Sequence, residues 1–259
     1  MGNPKKARPL MILSQYFVEF IFYSFLGWVW ESFYCTIREK AWQDRGFLFG
    51  PICPIYGASV VAVMILSRFV PQISSGAMPA WGIFLICMAG SAVAEYATSW
   101  VLEKRFHMRW WDYSDMPLNL NGRICLPASI GFGAAGIVVV RWLIPLVQSM
   151  HGTVHPMLYE GLALILAAGF GADFALTEAS LSHLIRDMKA FREEFNARAE
   201  AAYETLSGVG IRYASALTGG QKKILRNVRK FTTPIHSGGL TTGEHLRNAL
   251  RELENRKDA

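Results

Sequence analysis

Long apolar runs, separated by short polar segments, occupy the first 180 residues of the chain. Five such runs are found, at residues 11–35, 52–70, 79–102, 125–147 and 156–179. A helix that crosses a bilayer needs roughly 20 consecutive, mostly apolar residues. We therefore predict an all-α integral membrane protein, with about five transmembrane helices over residues 1–180. A helical, water-facing tail is expected over residues 181–259.

Composition and charge support this division. Hydrophobic residues make up 52% of the chain and charged residues only 18%, whereas a soluble domain carries about 25% charge. More than half of the 26 Lys and Arg residues follow Leu181. Because Lys and Arg accumulate on the cytoplasmic side, we expect a cytoplasmic tail and, with five spans, an external N-terminus. The basic residues near the N-terminus, Lys5, Lys6 and Arg8, are evidence against an external N-terminus, because basic residues favour the cytoplasmic side.

A shift of the sequence against itself indicates an internal duplication. With no gap, residue pairs of the same type align: Trp28 with Trp100, Glu31 with Glu103, Gly50 with Gly122, and Cys53 with Cys125. Each unit would be a helix, a polar loop and a returning helix. The alignment predicts two parallel repeat units, about residues 11–70 and 79–147, followed by a fifth span.

A few ionisable residues interrupt the apolar runs or lie directly beside them. Such groups are costly at membrane depth and usually face the protein interior. We expect Glu31 and Glu103 to form ion pairs with Arg45 and Arg123, with the choice of partner left open. Glu95 is the first candidate for a functional group. The polar residues expected either to stabilise helix ends or to line a substrate site are Glu31, Arg45, Glu95, Glu103, Arg123 and Asp173.

Two loops have unusual compositions. Residues 45–57 are dense in Gly and Pro, which predicts a bent or broken start of the second span. The third loop contains Trp110, Trp111, Asp112 and Tyr113. These side chains are typical of an aromatic belt at the lipid headgroups, or they form a surface on which a cytoplasmic partner docks. No metal-ligand spacing is recognisable, so no metal or cofactor is predicted.

The residue pattern after Leu181 predicts three helical segments in the tail. The fifth span should continue as a polar helix to about Leu206 and break at Gly208 and Gly210. Thr241 and Thr242 should cap a last helix. Between them lies a basic amphipathic helix, which would either rest on anionic lipid or pack against a partner. Its cations are Lys222, Lys223, Arg226, Arg229 and Lys230.

Four motifs together resemble a known family. They are Y-S-F-L-G-W-V-W-E (23–31), R-G-F-L-F-G-P-I-C-P-I-Y-G (45–57), E-Y-A-T-S-W-V-L-E (95–103) and W-W-D-Y-S-D-M-P-L-N-L-N-G-R-I-C-L (110–126). Over about residues 15–135, the chain is similar to the bacterial putative ABC-transporter type IV family, also called CmpB-like permeases. The resemblance implies a multi-pass permease subunit in a bacterial plasma membrane.

A permease of this type needs an ATPase, and this sequence has no G-x-x-x-x-G-K-[ST] loop. A separate cytoplasmic ATPase subunit is therefore expected, and a homo-oligomer is the usual form of a half-transporter. The alternative hypothesis is a non-transporting membrane scaffold or regulator, which recruits a soluble partner through its basic tail. A membrane enzyme is a third hypothesis, although no nucleophile–base pair can be named. No nucleic-acid-binding module is recognisable.

Overall fold

The computed structural model describes residues 9–151, 155–199, 206–231 and 241–258. Helices account for most of these residues, and the strands are two residues long. In the first part of the chain the elements are α1 (Pro9–Glu39), α2 (Pro54–Phe69), α3 (Ala80–Phe106), β1 (Met108–Arg109), β2 (Asn119–Leu120), β3 (Ile124–Cys125), α4 (Leu126–Val138) and α5 (Ile144–His151). The elements that follow are α6 (Pro156–Ala199), α7 (Leu206–Ala216), α8 (Gly219–Asn227), β4 (Lys230–Phe231) and α9 (Thr242–Asp258).

Within the described ranges, four helices are long and apolar enough to cross a membrane. They comprise Ile12–Glu39, Ala80–Phe106, Leu126–Met150 and Met157–Glu194. The third of them joins α4 to α5 through a π-helical segment, Val139–Leu143. The remaining predicted span is α2, a shorter apolar helix of 16 residues. The predicted all-α membrane protein is confirmed, with four candidate spans and one short apolar helix.

A cysteine directly precedes each of two helices, α2 and α4. Cys53 is the N-cap residue of α2 and Cys125 is the N-cap residue of α4, and each is followed by a proline in the first turn. Proline suits this position because its missing N–H would have no partner there and its φ angle already fits a helix. The backbone N–H of Cys53 donates to the carbonyl oxygen of Ser24 at 2.9 Å. This bond ties the start of α2 to α1.

The described chain divides into two compact units. The first contains residues up to Thr98 together with Tyr113–Asp173, and the second contains Ser99–Asp112 and the residues after Asp173. In the first unit, α1, α2, α3, the π-helical segment and α5 share one apolar core. Its buried members are Tyr23, Met64, Ile73, Ile83, Val140 and Ile144.

The second unit has its own buried core. Strand β1 pairs with β4 in antiparallel register, with Met108 opposite Phe231 and Arg109 opposite Lys230. The end of α3 and the first residues of the third loop therefore belong to the same unit as the tail. Fully buried side chains of this core include Met108, Leu181, Leu184, Phe191, Leu225, Val228, Leu246 and Leu250.

The predicted break at Gly208 and Gly210 and the predicted extent of the basic helix were wrong. Gly208 and Gly210 lie inside α7 and do not break it. The predicted continuation of α6 to about Leu206 falls on residues 200–205, which lie outside the described ranges. The basic helix ends at Asn227, so Arg229 and Lys230 lie beyond it. A capping box formed by Thr218 and Gln221 stabilises the start of α8. After α8 the chain is extended, and Lys230 lies in strand β4.

The predicted cap of the last helix is confirmed. The backbone N–H of Thr241 donates to Glu244 Oε2 at 2.7 Å, and the Glu244 N–H donates to Thr241 Oγ1 at 3.3 Å. Burial alone would raise the pKa of Glu244, but the bonds from Thr241 and the nearby Arg247 lower it below its ordinary value of 4.5. A carboxylate with a lowered pKa stabilises the folded state above pH 4.5, and this contribution is lost as the pH falls through the folded pKa.

We therefore expect Glu244→Gln to lower the melting temperature of the C-terminal unit at pH 7. The difference from the wild-type protein should shrink as the pH falls below 4.5, because the wild-type carboxylate then becomes neutral as well. Thermal unfolding followed by circular dichroism at several pH values measures this. Glu193→Gln, which removes an exposed carboxylate from the same unit, serves as the control. A difference that persists unchanged at low pH would contradict the prediction.

Candidate functional site

The carboxylate of Glu31, near the C-terminal end of α1, has two partners from the segment that follows. Tyr56 donates its hydroxyl proton to Glu31 Oε2 at 3.1 Å. The guanidinium of Arg45 places Nε 3.8 Å from Glu31 Oε1, and Arg45 is buried. The Arg45 backbone N–H donates to Ser32 Oγ at 3.2 Å. The expected Glu31–Arg45 pair is therefore formed, and a neutral hydroxyl shares the same carboxylate.

Glu95, in the middle of α3, is the most deeply placed carboxylate of this group. It is only 5% exposed, and Tyr113 donates its hydroxyl proton to Glu95 Oε1 at 3.3 Å. Within the described part of the chain, the other oxygen, Oε2, is buried without a hydrogen-bond partner. An unsatisfied buried oxygen is costly. It is therefore a position where a ligand's donor group would be stabilised.

Tyr113 lies close enough to the carboxylates of Glu95 and Glu31 to feel the charge of both. Burial raises its pKa, and the nearby carboxylates of Glu95 and Glu31 raise it further. The hydroxyl therefore keeps its proton and acts as a donor. Its backbone N–H donates to the carbonyl oxygen of Gly122 at 2.8 Å, which holds the loop in place. We call Glu31, Tyr56, Glu95 and Tyr113 the carboxylate–tyrosine cluster.

A tight turn next to the cluster carries Arg123. Strands β2 and β3 are joined through Asn121 and Gly122, which both have positive φ angles, of 54° and 67°. This geometry is that of a hairpin turn, for which Asn-Gly is the favoured sequence. Arg123 is buried and its guanidinium carbon lies 5.5 Å from the centre of the Tyr96 ring. The amide of Asn121 also donates to the Tyr96 hydroxyl at 3.1 Å.

Asp173, in α6, binds the Gly- and Pro-rich loop before α2. The backbone N–H of Phe49 donates to Asp173 Oδ1 at 3.1 Å, and that of Gly50 donates to Oδ2 at 3.0 Å. A Cβ atom on Gly50 would lie 2.8 Å from Asp173 Oδ2, so a larger residue there would displace the carboxylate from the two N–H groups. The carboxylate acts here as a cap for irregular backbone, which needs such partners at membrane depth.

Glu103 belongs to the second unit and forms an ion pair with Arg109, an arginine that the sequence reasoning did not select. Arg109 donates from Nε to Glu103 Oε2 at 2.6 Å. Arg109 also lies 3.9 Å from Asp112, and Lys230 lies 3.3 Å from the same Asp112. His107, with φ of 56°, turns the chain back after α3. Arg109, three residues after the end of α3, can therefore reach back to Glu103 in the last turns of that helix.

One of the four residues of the predicted partner-facing loop is buried in the second unit. Trp110 is buried, and its ring lies 6.4 Å from that of Phe106. Trp111, Asp112 and Tyr113 are half-buried. The pairing of β1 with β4 draws this loop into contact with the chain itself, so the Trp110 indole packs in an intramolecular core. Trp110 therefore offers little surface to a partner, whereas a partner-facing role of Trp111, Asp112 and Tyr113 stays a prediction.

The apolar face of the basic tail helix is also occupied. Ile224, Leu225, Val228 and Phe231 are buried in the second unit. Arg226 forms an exposed ion pair with Glu254 at 3.1 Å, Arg229 is exposed, and Lys222 and Lys223 are half-buried. Insertion of this apolar face into lipid would require the unit to open, whereas a surface contact of its cations with anionic headgroups stays a prediction.

Tyr56 is the cluster residue that the sequence reasoning missed. It has no counterpart under the repeat alignment, so neither periodicity nor duplication marks it. The available signal was Gly27 in the apolar run of α1, because a Cβ atom there would lie 2.4 Å from the Tyr56 ring. A glycine inside a membrane helix indicates close packing, but it does not identify which side chain packs against it.

Comparison with known proteins gives one family match. The model of the family described as "Putative ABC-transporter type IV" matches residues 18–178. These residues include α2–α5, most of α1 and the apolar part of α6, and therefore every residue of the carboxylate–tyrosine cluster. No curated protein and no solved structure matches the chain.

Proposed function

Because the chain belongs to the family "Putative ABC-transporter type IV", we propose that it is the permease-type membrane subunit of a transporter in a bacterial plasma membrane. The observation that carries the proposal is the carboxylate–tyrosine cluster, in which Glu95 is buried and the other three residues are half-buried. Its central residue is Glu95, whose Oε2 is buried and unbonded within the described residues. Its substrate would be a solute with a cationic or hydrogen-bond-donating group.

The physical argument starts from the cost of such a cluster. Acidic side chains at membrane depth cost on the order of 2.5–3.5 kcal/mol each, and they usually mark substrate or ion pathways. In the cluster, Glu31 is compensated by Arg45 and Tyr56, while among the described residues Glu95 accepts a hydrogen bond only from the hydroxyl of Tyr113. The uncompensated carboxylate is the one that a purely structural role does not explain.

Energy would come from a separate cytoplasmic ATPase, since this sequence lacks a phosphate-binding loop of the G-x-x-x-x-G-K-[ST] type. We place the tail in the cytoplasm and the N-terminus outside, on the distribution of Lys and Arg. A homo-oligomer would complete the transport path. The second unit, which combines residues 99–112 with the tail, is then the part of the chain available to the ATPase.

A tagged full-length chain, purified from its native membranes, should bring down a subunit that hydrolyses ATP. Vesicles that contain this complex should accumulate a solute from a cell extract in an ATP-dependent manner, as measured by mass spectrometry. Glu95→Gln should reduce the accumulation about tenfold or more, which corresponds to about 1.4 kcal/mol. The amide oxygen still accepts from Tyr113, so the complex should stay intact.

The matched control is Glu160→Gln, which neutralises an exposed carboxylate in α6 and should leave accumulation unchanged. Normal accumulation in the Glu95→Gln variant would remove the cluster from the transport path. The absence of any ATP-hydrolysing subunit would overturn the ABC-type assignment.

The alternative function, a scaffold or regulator without transport, is favoured by one observation. The second unit has a separate buried core that includes Phe191, Val209 and Leu246, which is more structure than a passive tail needs. Under this alternative, Glu95→Gln would have no effect on activity. Exchange of exposed tail cations such as Arg229 for Gln would release a soluble partner instead.

A further inference from the structure

A second polar region lies further toward the N-terminal end of α1 than the carboxylate–tyrosine cluster. A cavity of about 320 Å³ opens there between α1, α2 and α5, which is the lower end of the size range for small-molecule sites. Glu19, on its wall, precedes Glu31 by about three turns of α1, or roughly 18 Å along the helix axis. Its polar and aromatic lining residues are Gln15, Tyr16, Glu19, Ser67, Arg68 and Gln148.

The guanidinium of Arg68 is held in place by an aromatic ring but forms no ion pair with a described residue. Its central carbon lies 5.1 Å from the centre of the Tyr16 ring, and this cation–π contact restrains a long side chain. Across the described ranges, no carboxylate lies within ion-pair distance of Arg68. The planar fork of arginine is suited to two-point recognition of a carboxylate.

Glu19 adds an acidic side chain to the same cavity. It is 4% exposed, and it lies on α1 while Arg68 lies in the last turn of α2. A simple anion would be attracted by Arg68 but repelled by the carboxylate of Glu19. A simple cation would be attracted by Glu19 but repelled by Arg68. A molecule with both charges is attracted by both walls, and the amides of Gln15 and Gln148 can bind its remaining polar atoms.

We infer that this cavity binds a small zwitterion, with the ligand's carboxylate on Arg68 and its ammonium group on Glu19. Aliphatic side chains of Ile12 and Met64 also line the cavity, which suits a compact ligand with a short apolar part. The chemical class is that of the small α-amino acids. The site is distinct from the cluster around Glu95, and it requires neither ATP nor transport to bind its ligand.

The test uses the purified full-length protein in lipid nanodiscs and isothermal titration at constant ionic strength. The probes are L-alanine, propionate, which lacks the ammonium group, and ethylamine, which lacks the carboxylate. L-Alanine should bind at millimolar or lower concentration, and each analogue at least about tenfold more weakly, equivalent to about 1.4 kcal/mol. Arg68→Gln and Glu19→Gln should each weaken L-alanine binding by a similar factor.

Arg38→Gln is the matched control, because Arg38 is an exposed arginine in the last turn of α1. It should leave L-alanine binding unchanged. Arg68 is exposed at a helix end, so its variant decides the question even if Glu19→Gln does not fold. No binding of L-alanine to the wild-type protein, equal binding of propionate, or normal binding by Arg68→Gln would each overturn the inference. Because Glu95 is not involved, this result is separate from the transport test.

Discussion

Gly57→Ala is expected to lower the free energy of unfolding by about 3 kcal/mol, the upper part of the usual range for overpacking. A Cβ atom at this position would lie 2.2 Å from the carbonyl oxygen of Phe20 and 2.2 Å from the Ser24 hydroxyl. One of these atoms belongs to the backbone of α1, so it cannot rotate away. The two helices would have to move apart, which would also stretch the Cys53 N–H bond to the Ser24 carbonyl.

The measurement should report on this contact locally. Cys53 is buried and is not in a disulfide, so its reaction rate with a thiol reagent can follow the opening of α1 and α2. In a variant with the other three cysteines replaced by serine, Gly57→Ala should react faster with the reagent and unfold at a lower temperature. Tryptophan fluorescence provides the second readout of unfolding.

Gly131→Ala is the control for this substitution. Gly131 lies in α4, and no atom is found within 4 Å of the position that its Cβ would take. Alanine is a better helix former than glycine, so this variant should be as stable as the wild-type protein or slightly more stable. Equal behaviour of the two alanine variants would show that α1 and α2 are not in this close contact.

Asp173→Asn is expected to destabilise the first unit by about 2 to 3 kcal/mol, the order of a hydrogen bond to a charged group. The aspartate accepts one backbone N–H on each oxygen, from Phe49 and from Gly50. An asparagine has a single acceptor oxygen, and its NH₂ group would face the other N–H. One buried donor would lose its partner while the shape of the side chain is nearly unchanged.

The loop should loosen before the whole unit unfolds, because residues 49–50 precede Cys53 directly. Thiol reactivity of Cys53 should therefore rise in Asp173→Asn at temperatures where tryptophan fluorescence is still native. The control is Glu160→Gln in the same helix, an exposed carboxylate whose loss should change neither readout. Unaltered Cys53 reactivity in Asp173→Asn would mean that this carboxylate does not hold the loop.

Much of the architecture could be predicted from the sequence, because the signals are local. The length of an apolar run decides whether a helix can cross a bilayer, and α1, α3 and α6 lie where such runs occur. A threonine followed three residues later by a glutamate is a capping box, and α9 begins there. Glu31 and Arg45 are close in the sequence, so an ion pair between them could be predicted without knowledge of the tertiary structure.

Tertiary structure decided what depends on residues far apart in the chain. The antiparallel pairing of Arg109 with Lys230 joins the third loop to the tail, and it explains why Trp110 is buried. The bonds of Asp173 to Phe49 and Gly50, and the contact of Gly27 with Tyr56, likewise join distant segments. Periodicity and charge describe one helix at a time, whereas partners across helices depend on which faces pack together. The sequence by itself therefore determined the membrane helices and their caps. Packing determined which acids of the described residues form an ion pair, as Glu31 does, and which, such as Glu95, meet a neutral hydroxyl instead.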